Sequence, residues 1–164
     1  MAVLTETEAG GRNVLAFLDM IAVSEIGTRL LTVSDDGYNV IVGSTPQAPI
    51  LFDDYAQHPR RYQRAQNSDA AGRYQIMSRY WEHYRVQLGL PDFGKRSQDL
   101  WAIQLIRECR ALSLIQGGLF ADAVHACRSR WASFPGAGYG QHENALEPLR
   151  AAYVDAGGAI SDLV

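Results

Sequence analysis

Cysteine is scarce in this chain, and so is any excess of positive charge. Cys109 and Cys127 are the 2 cysteines of 164 residues, too few for a disulfide framework. Both fall in stretches with a helical pattern, so buried thiols are expected, with a cross-helix bridge left open. Lys and Arg number 15 against 18 Asp and Glu, a net charge of -3. That balance argues against a surface built to coat nucleic-acid phosphates, and no nucleic-acid partner is expected; a weakly charged polymer such as a polysaccharide stays open. No apolar run reaches the roughly 20 residues of a membrane span, so a membrane protein is not expected. The first residues, Met1 to Glu8, have no basic segment, apolar stretch or small-residue cleavage site. The expectation is therefore no signal peptide and synthesis in the cytosol.

Several chemistries lack their residues. His58, His83, His125 and His142 are scattered and do not pair with the cysteines at ligand spacing, so neither a metal nor a cofactor is expected. Gly136, Gly138 and Gly140 form a glycine-rich loop, but they follow a helical stretch and Pro135 rather than a strand, the wrong context for a nucleotide loop. No nucleophile elbow is found, and neither cysteine has an obvious base.

What is present is ordinary globular material, 47% hydrophobic and 20% charged, in a length that fits one domain. Residues 1–12 are polar and read as a tail; residues 13–164 form the domain. Val14, Phe17, Leu18 and Ile21 fall on one helical stripe, with Asn13 as N-cap and Gly27 near the stop. Tyr38, Val40 and Val42 alternate with Asn39 and Ile41 as in a strand, and residues 50–52 can return beside it, a small hairpin or sheet. A helix follows from Ser78. Another opens at Ser97 as N-cap, carries Trp101 through Leu112 and ends at Gly117-Gly118. A further helix holds Phe120, Val124, Cys127 and Trp131, and a last one runs to about Ala156, with Pro148 near its first turn. The expected fold class is α+β: mainly helical, with a small β element near the N-terminal third and a cleft beside it.

Glu25 ends the first long helix. A carboxylate there faces the negative end of the helix dipole, and burial in a cleft pushes the same way, so the acid keeps its proton nearer neutrality. Those conditions suit a general acid, although a solvated helix-end glutamate has the same local sequence. Glycoside cleavage asks for such a carboxyl, lined by aromatic and amide groups. Tyr38, Tyr74, Gln75, Tyr139 and Gln141 lie on loops or loop edges, where hydroxyl and N-acetyl groups can be met. For any one tyrosine the alternative is a core residue with its hydroxyl satisfied.

Several blocks together resemble one family. They are Ser24-Glu25, residues 37–43, Phe52-Asp53-Asp54-Tyr55, His58-Pro59-Arg60, Ala71-Gly72-Arg73-Tyr74-Gln75, residues 87–90, Ser97-Gln98-Asp99 and residues 131–141. In order and spacing, over residues 12–158, they resemble the phage lambda endolysin family. That resemblance implies a lysozyme-like fold and a soluble lytic transglycosylase. Such an enzyme cuts between N-acetylmuramic acid and N-acetylglucosamine in peptidoglycan and leaves a 1,6-anhydromuramic end. It implies Glu25 as the single catalytic residue, and glycan contacts from Tyr38, Asn39, Arg73, Tyr74, Gln75, Gly136, Gly138, Tyr139 and Gln141. It further implies a monomer in the host cytoplasm, reaching the wall after a holin opens the membrane. The segment between Glu25 and Gly37 departs from the family by being shorter and more apolar. Hydrolytic phage lysozymes place an aspartate nine positions after the glutamate; here that position is Ser34. Asp35 and Asp36 lie beside it, so a hydrolytic muramidase is the alternative, and a non-catalytic wall-binding relative is a third class.

Overall fold

Gly27 takes φ of +82°, a conformation costly for residues with a Cβ, and stops the first long helix one residue after Ile26. The computed structural model describes residues 1–140 and 142–161. Among them are eight α-helices: α1 (Glu6–Ala9), α2 (Arg12–Ile26), α3 (Thr28–Thr32), α4 (Ser78–Leu88), α5 (Lys95–Glu108), α6 (Leu112–Gln116), α7 (Phe120–Cys127) and α8 (Leu146–Asp155). The chain forms two compact units, one of Met1–Ser24 with the residues from Ala102 onward, the other of Glu25–Trp101.

In the first unit, Phe17 of α2 meets Phe120, Phe134 and Tyr153 edge-on, with centroids 6.3–6.4 Å apart, the favoured aromatic geometry. The polar lead-in is more ordered than a tail. Thr5 and Glu8 form a reciprocal capping box on α1, and Leu4 and Ala9 are buried. Asn13 is not an N-cap. It lies inside α2, where its side chain donates to Ile115 O and accepts from Ala159 N at 3.1 and 2.9 Å, because a tertiary clamp satisfies its amide better than a local turn.

The helix expected from Ser97 to Gly117 is two helices. Arg110 adopts φ of +56° and the Ala111 amide closes back onto Ile106 O at 3.1 Å, which re-aims α6 and buries Ile115. Nothing in an arginine announces such a turn. Ser97 does not cap α5; its hydroxyl donates to Asp92 Oδ1 at 3.0 Å. Trp131 lies beyond the end of α7, still buried.

The second unit is centred on Phe93, which packs edge-on against Trp81 and His58 at 4.9 and 4.7 Å. The expected return of residues 50–52 beside the 38–42 stretch is reduced to one antiparallel bridge, with Ile41 N–H donating to Ile50 O and Phe52 N–H to Asn39 O at 2.9 and 3.1 Å, and no ladder extends it. Among the described residues the pairing is confined to isolated bridges, among them Val40–Leu51, Ile41–Ala71 and Ala71–Ile76. Turns on both sides explain this. Tyr38 N–H donates to Asp35 O and Val40 N–H to Gly37 O, and Ser44 N–H already closes the next turn on Ile41 O. Too few extended residues are left between them for a ladder. Val40 and Ile41 are both buried, so the alternation that suggested a two-faced strand does not separate two faces.

Candidate active site

Glu25 is the penultimate residue of α2, held there by the Gly27 stop, so its carboxyl sits at the carbonyl end of a four-turn helix. The side chain is half-buried. It opens on a depression of about 130 Å³. Ile26, Leu30, residues 40–44 and Gln75 line it together with Glu25. That volume is below the roughly 300 Å³ at which cavities enclose whole ligands. The lining combines aliphatic residues with the polar Ser44 and Gln75.

Gln75 has φ of +50°, an αL conformation that costs a residue with a Cβ on the order of 1 kcal/mol. The surrounding turn imposes it. Ala71 and Ile76 exchange both backbone hydrogen bonds, at 3.0 and 2.8 Å, and Gln75 Nε2 donates to Gly72 O at 3.0 Å. Gly72 itself admits no side chain, since a Cβ there would stand 2.3 Å from Gln98 Oε1.

Beneath this turn lies a polar cluster that carries the other expected residues of the unit. Tyr38 and Tyr74 are each 1% exposed, and both hydroxyls donate to Asp99 Oδ1, at 2.8 and 2.6 Å. Burial, reinforced by the Asp99 charge, pushes both phenols well above their ordinary range. The two tyrosines expected to touch sugar are interior residues, because each hydroxyl has a buried carboxylate to satisfy. Arg73 is 2% exposed; its guanidinium pairs with Asp36 at 2.8 Å, donates to Asp36 O and stacks over the Tyr38 ring. Asn39 is half-buried, its Oδ1 accepting from Asp35 N at 2.9 Å. Gln98 joins the parts, accepting from Arg73 N and donating to Tyr38 O and Phe93 O.

Sequence reasoning missed Ser44, Gln98 and Asp99 as parts of this region. A readable signal existed: Ser97-Gln98-Asp99 is a polar triplet inside a helix that is otherwise apolar on several faces, and all three are buried.

Neither aspartate considered as a second carboxylate lines the depression. Asp36 meets Arg73. Asp35 Oδ1 lies 2.5 Å from Lys95 Nζ and its Oδ2 accepts from Tyr55 at 2.7 Å. Burial alone would raise Asp35, but the hydrogen bonds from Lys95 and Tyr55 outweigh it and hold the carboxyl below its usual value.

The glycine loop belongs to the other unit. Gly136 and Gly138 donate their amides to the Glu143 carboxylate at 2.8 and 2.7 Å, which holds that acid below its ordinary range. Tyr139 is 57% exposed, with its hydroxyl on Ser129 O. The base of the loop is fastened to the residue preceding Glu25: Ser24 and Ser133 hydroxyls are 2.7 Å apart, and Asn144 Nδ2 donates to Ser24 Oγ at 3.0 Å. Gln141 lies outside the described residues. Among the described residues, no three His, Cys, Asp or Glu side chains converge as metal ligands, and no helix is long and apolar enough to cross a membrane.

Comparison with known proteins bears on this geometry. Residues 15–160 match the family model described as Endolysin. The endolysin of Escherichia phage P2 is 46% identical over 155 residues, covering 90% of this chain and 94% of the relative. The endolysin of Escherichia phage lambda is 46% identical over 154 residues, covering 90% and 93%. Bacteriophage lambda lysozyme, solved in complex with a chitohexasaccharide, superposes with a TM-score of 0.83 at 42% identity over 98% of this chain and 100% of that one. A second structure of lysozyme from bacteriophage lambda gives 0.78 at 41% identity, with the same coverage. The mainly helical fold is therefore that of lambda lysozyme.

Proposed function

The chain belongs to the endolysin family, and from that premise we propose that it cleaves the β-1,4 bond between N-acetylmuramic acid and N-acetylglucosamine in peptidoglycan as a lytic transglycosylase. The observation that carries this reading is the contrast among three carboxylates. Glu25 lines the depression at a helix C-terminus, whereas Asp35 and Asp36 do not line it and are engaged by Lys95 and Arg73. A carboxylate held by an ammonium or a guanidinium is a poor nucleophile and a poor base for water.

In the first step Glu25 donates its proton to the glycosidic oxygen as the bond to muramyl C1 breaks, and the N-acetylglucosamine hydroxyl leaves. The carboxylate then takes the proton of the muramyl C6 hydroxyl while O6 bonds to C1. The 1,6-anhydro ring closes and Glu25 is protonated again, with no water consumed. Gln75, in the lining of the depression, is proposed to hydrogen-bond the strand, while the Ser44 hydroxyl, donating to Ile41 O and accepting from Ile50 N–H, holds the turn beside it. Tyr38, Arg73 and Tyr74 serve as positioning residues that hold the residue 71–76 turn. Residues 136–141, with Tyr139 outward, are a further proposed glycan contact. The lambda lysozyme complex with a chitohexasaccharide supports an extended glycan as the ligand class. Release from the host cytoplasm through a holin lesion, and action as a monomer, complete the reading.

Glu25→Gln tests it. Clearing of purified cell walls is expected to fall by about 100-fold or more, the range of a lost general acid, with the circular dichroism spectrum unchanged. Mass spectrometry of muropeptides from the unsubstituted enzyme is expected to give anhydro ends. Products heavier by one water would replace the transglycosylase with a hydrolase, and full activity of the variant would end the proposal.

A further inference from the structure

A second cavity lies in the same unit as Glu25 and is larger than the depression that Glu25 lines, about 450 Å³ against about 130 Å³. That volume falls in the range that holds small ligands. The two hollows share no lining residue. The apolar part of the larger one is Leu51, Pro59 and the buried ring of Phe52. Its charged part has both signs, Asp53 and Asp54 against Arg61. These opposite charges share a cavity without closing on each other: among the described residues, none of the three makes an ion pair. Arg61 is tied instead to the backbone, its Nη1 donating to Leu51 O at 3.0 Å. Asp54 Oδ1 accepts from Ala56 N at 2.8 Å, and Asp53 has no hydrogen-bond partner among the described residues. Both Asp53 oxygens, the second Asp54 oxygen and the rest of the guanidinium fork are therefore available to a ligand. The hollows meet at one antiparallel bridge, for Val40 lines the first and its bridge partner Leu51 the second.

We propose that this second cavity binds the peptide borne by N-acetylmuramic acid, taking the free end of its diamino acid. The assignment rests on the peptidoglycan reading above and names the part of the substrate that the Glu25 depression does not hold. In peptidoglycan the muramyl lactyl group carries a short peptide whose third residue is a diamino acid such as diaminopimelate. Where it is not cross-linked, the far end of that residue bears an ammonium and a carboxylate on a short apolar chain. The ammonium fits between Asp53 and Asp54. The carboxylate fits the open edge of the Arg61 guanidinium, whose planar fork suits a carboxylate, and the methylene chain lies over Phe52. A bare glycan backbone carries no cation, so two unpaired aspartates favour the peptide over a further sugar. Three extended residues reach about 10 Å, and bridged residues stand only about 5 Å apart. The third residue of a peptide on a muramyl unit at Glu25 therefore has the length to reach the second hollow.

The test compares the full chain on two forms of one wall: glycan strands with their peptides, and the same strands stripped by an amidase that cuts the lactyl–peptide bond. The ratio of kcat/KM, peptide-bearing over stripped, is expected to be about fivefold or more, the worth of one or more exposed ion pairs, and to shrink as salt is raised. Asp53→Asn and Arg61→Gln are expected to bring that ratio towards one. A merely structural role would lower both rates and leave the ratio where it was, which overturns the assignment, as does a ratio of one in the unsubstituted chain. Binding is read apart from activity by titrating the free tripeptide that ends in diaminopimelate. At millimolar concentration it is expected to shift backbone amide resonances within residues 51–61, while the analogue ending in alanine leaves them in place. If neither form of the wall is cut, the transglycosylase reading fails and the tripeptide titration decides the cavity by itself. No shift, or equal shifts from both peptides, ends the proposal.

Discussion

Lys95 holds Asp35 at 2.5 Å, and Tyr55 donates to the second oxygen of the same carboxylate. This arrangement offers a test between two mechanisms that the local sequence leaves side by side. With the single acid at Glu25, Asp35→Asn keeps activity within a few-fold and the products remain anhydro-ended. Were Asp35 the base or nucleophile of a hydrolase, the loss would be about 100-fold or more. Stability is expected to change by well under about 1 kcal/mol, since both partners are more than a third exposed and solvent screens the pair. Muropeptide release measured beside a urea titration reads both quantities.

Gln75 offers a way to separate a glycan contact from a structural role. Gln75→Gly removes the side chain but relaxes a backbone at φ of +50°. Stability should stay within about 1 kcal/mol, relief of strain being offset by the greater freedom of glycine when unfolded. Activity should fall about tenfold or more, the value of one lost hydrogen bond at a reacting polymer. An unchanged turnover on intact peptidoglycan would remove Gln75 from the site.

Tyr74→Phe addresses the buried cluster. Asp99 Oδ1 loses one of two tyrosine donors in a place where a hydrogen bond to a charged group is worth about 1–3 kcal/mol. Chemical denaturation should show that loss. Because Tyr38 and Tyr74 share one acceptor, the double variant with Tyr38→Phe should depart from additivity.

His58 carries a pH prediction. It is 1% exposed, with Nε2 2.8 Å from Ile76 O and Nδ1 accepting from Arg60 N–H. A carbonyl only accepts, so Nε2 carries the proton and the ring is neutral. Burial lowers its affinity for a second proton below the ordinary value of 6.5. The unfolded chain then binds more protons than the folded one as pH falls through that value, so stability declines with falling pH. The contribution is complete above about pH 7 and is lost progressively below 6.5, towards the lowered folded value. Melts between pH 5 and 8 should show a shallower decline for His58→Gln than for the unsubstituted chain.

The amino-acid order by itself determined most of the helices and the place of Glu25, because helical periodicity, Gly27 and the loop residues are local signals. It also carried the family, through blocks spread along nearly the whole chain. The return of residues 50–52 beside Val40 was legible, but its extent was not: the alternation of Tyr38, Val40 and Val42 is that of a strand, yet turns on Asp35 and Ile41 consume the residues a ladder needs. Only tertiary structure decided what Tyr38, Tyr74 and Arg73 do. An aromatic or cationic side chain on a loop edge can face a ligand or a buried carboxylate. That choice was made by the buried charges of Asp99 and Arg73, which must be satisfied by partners distant in sequence.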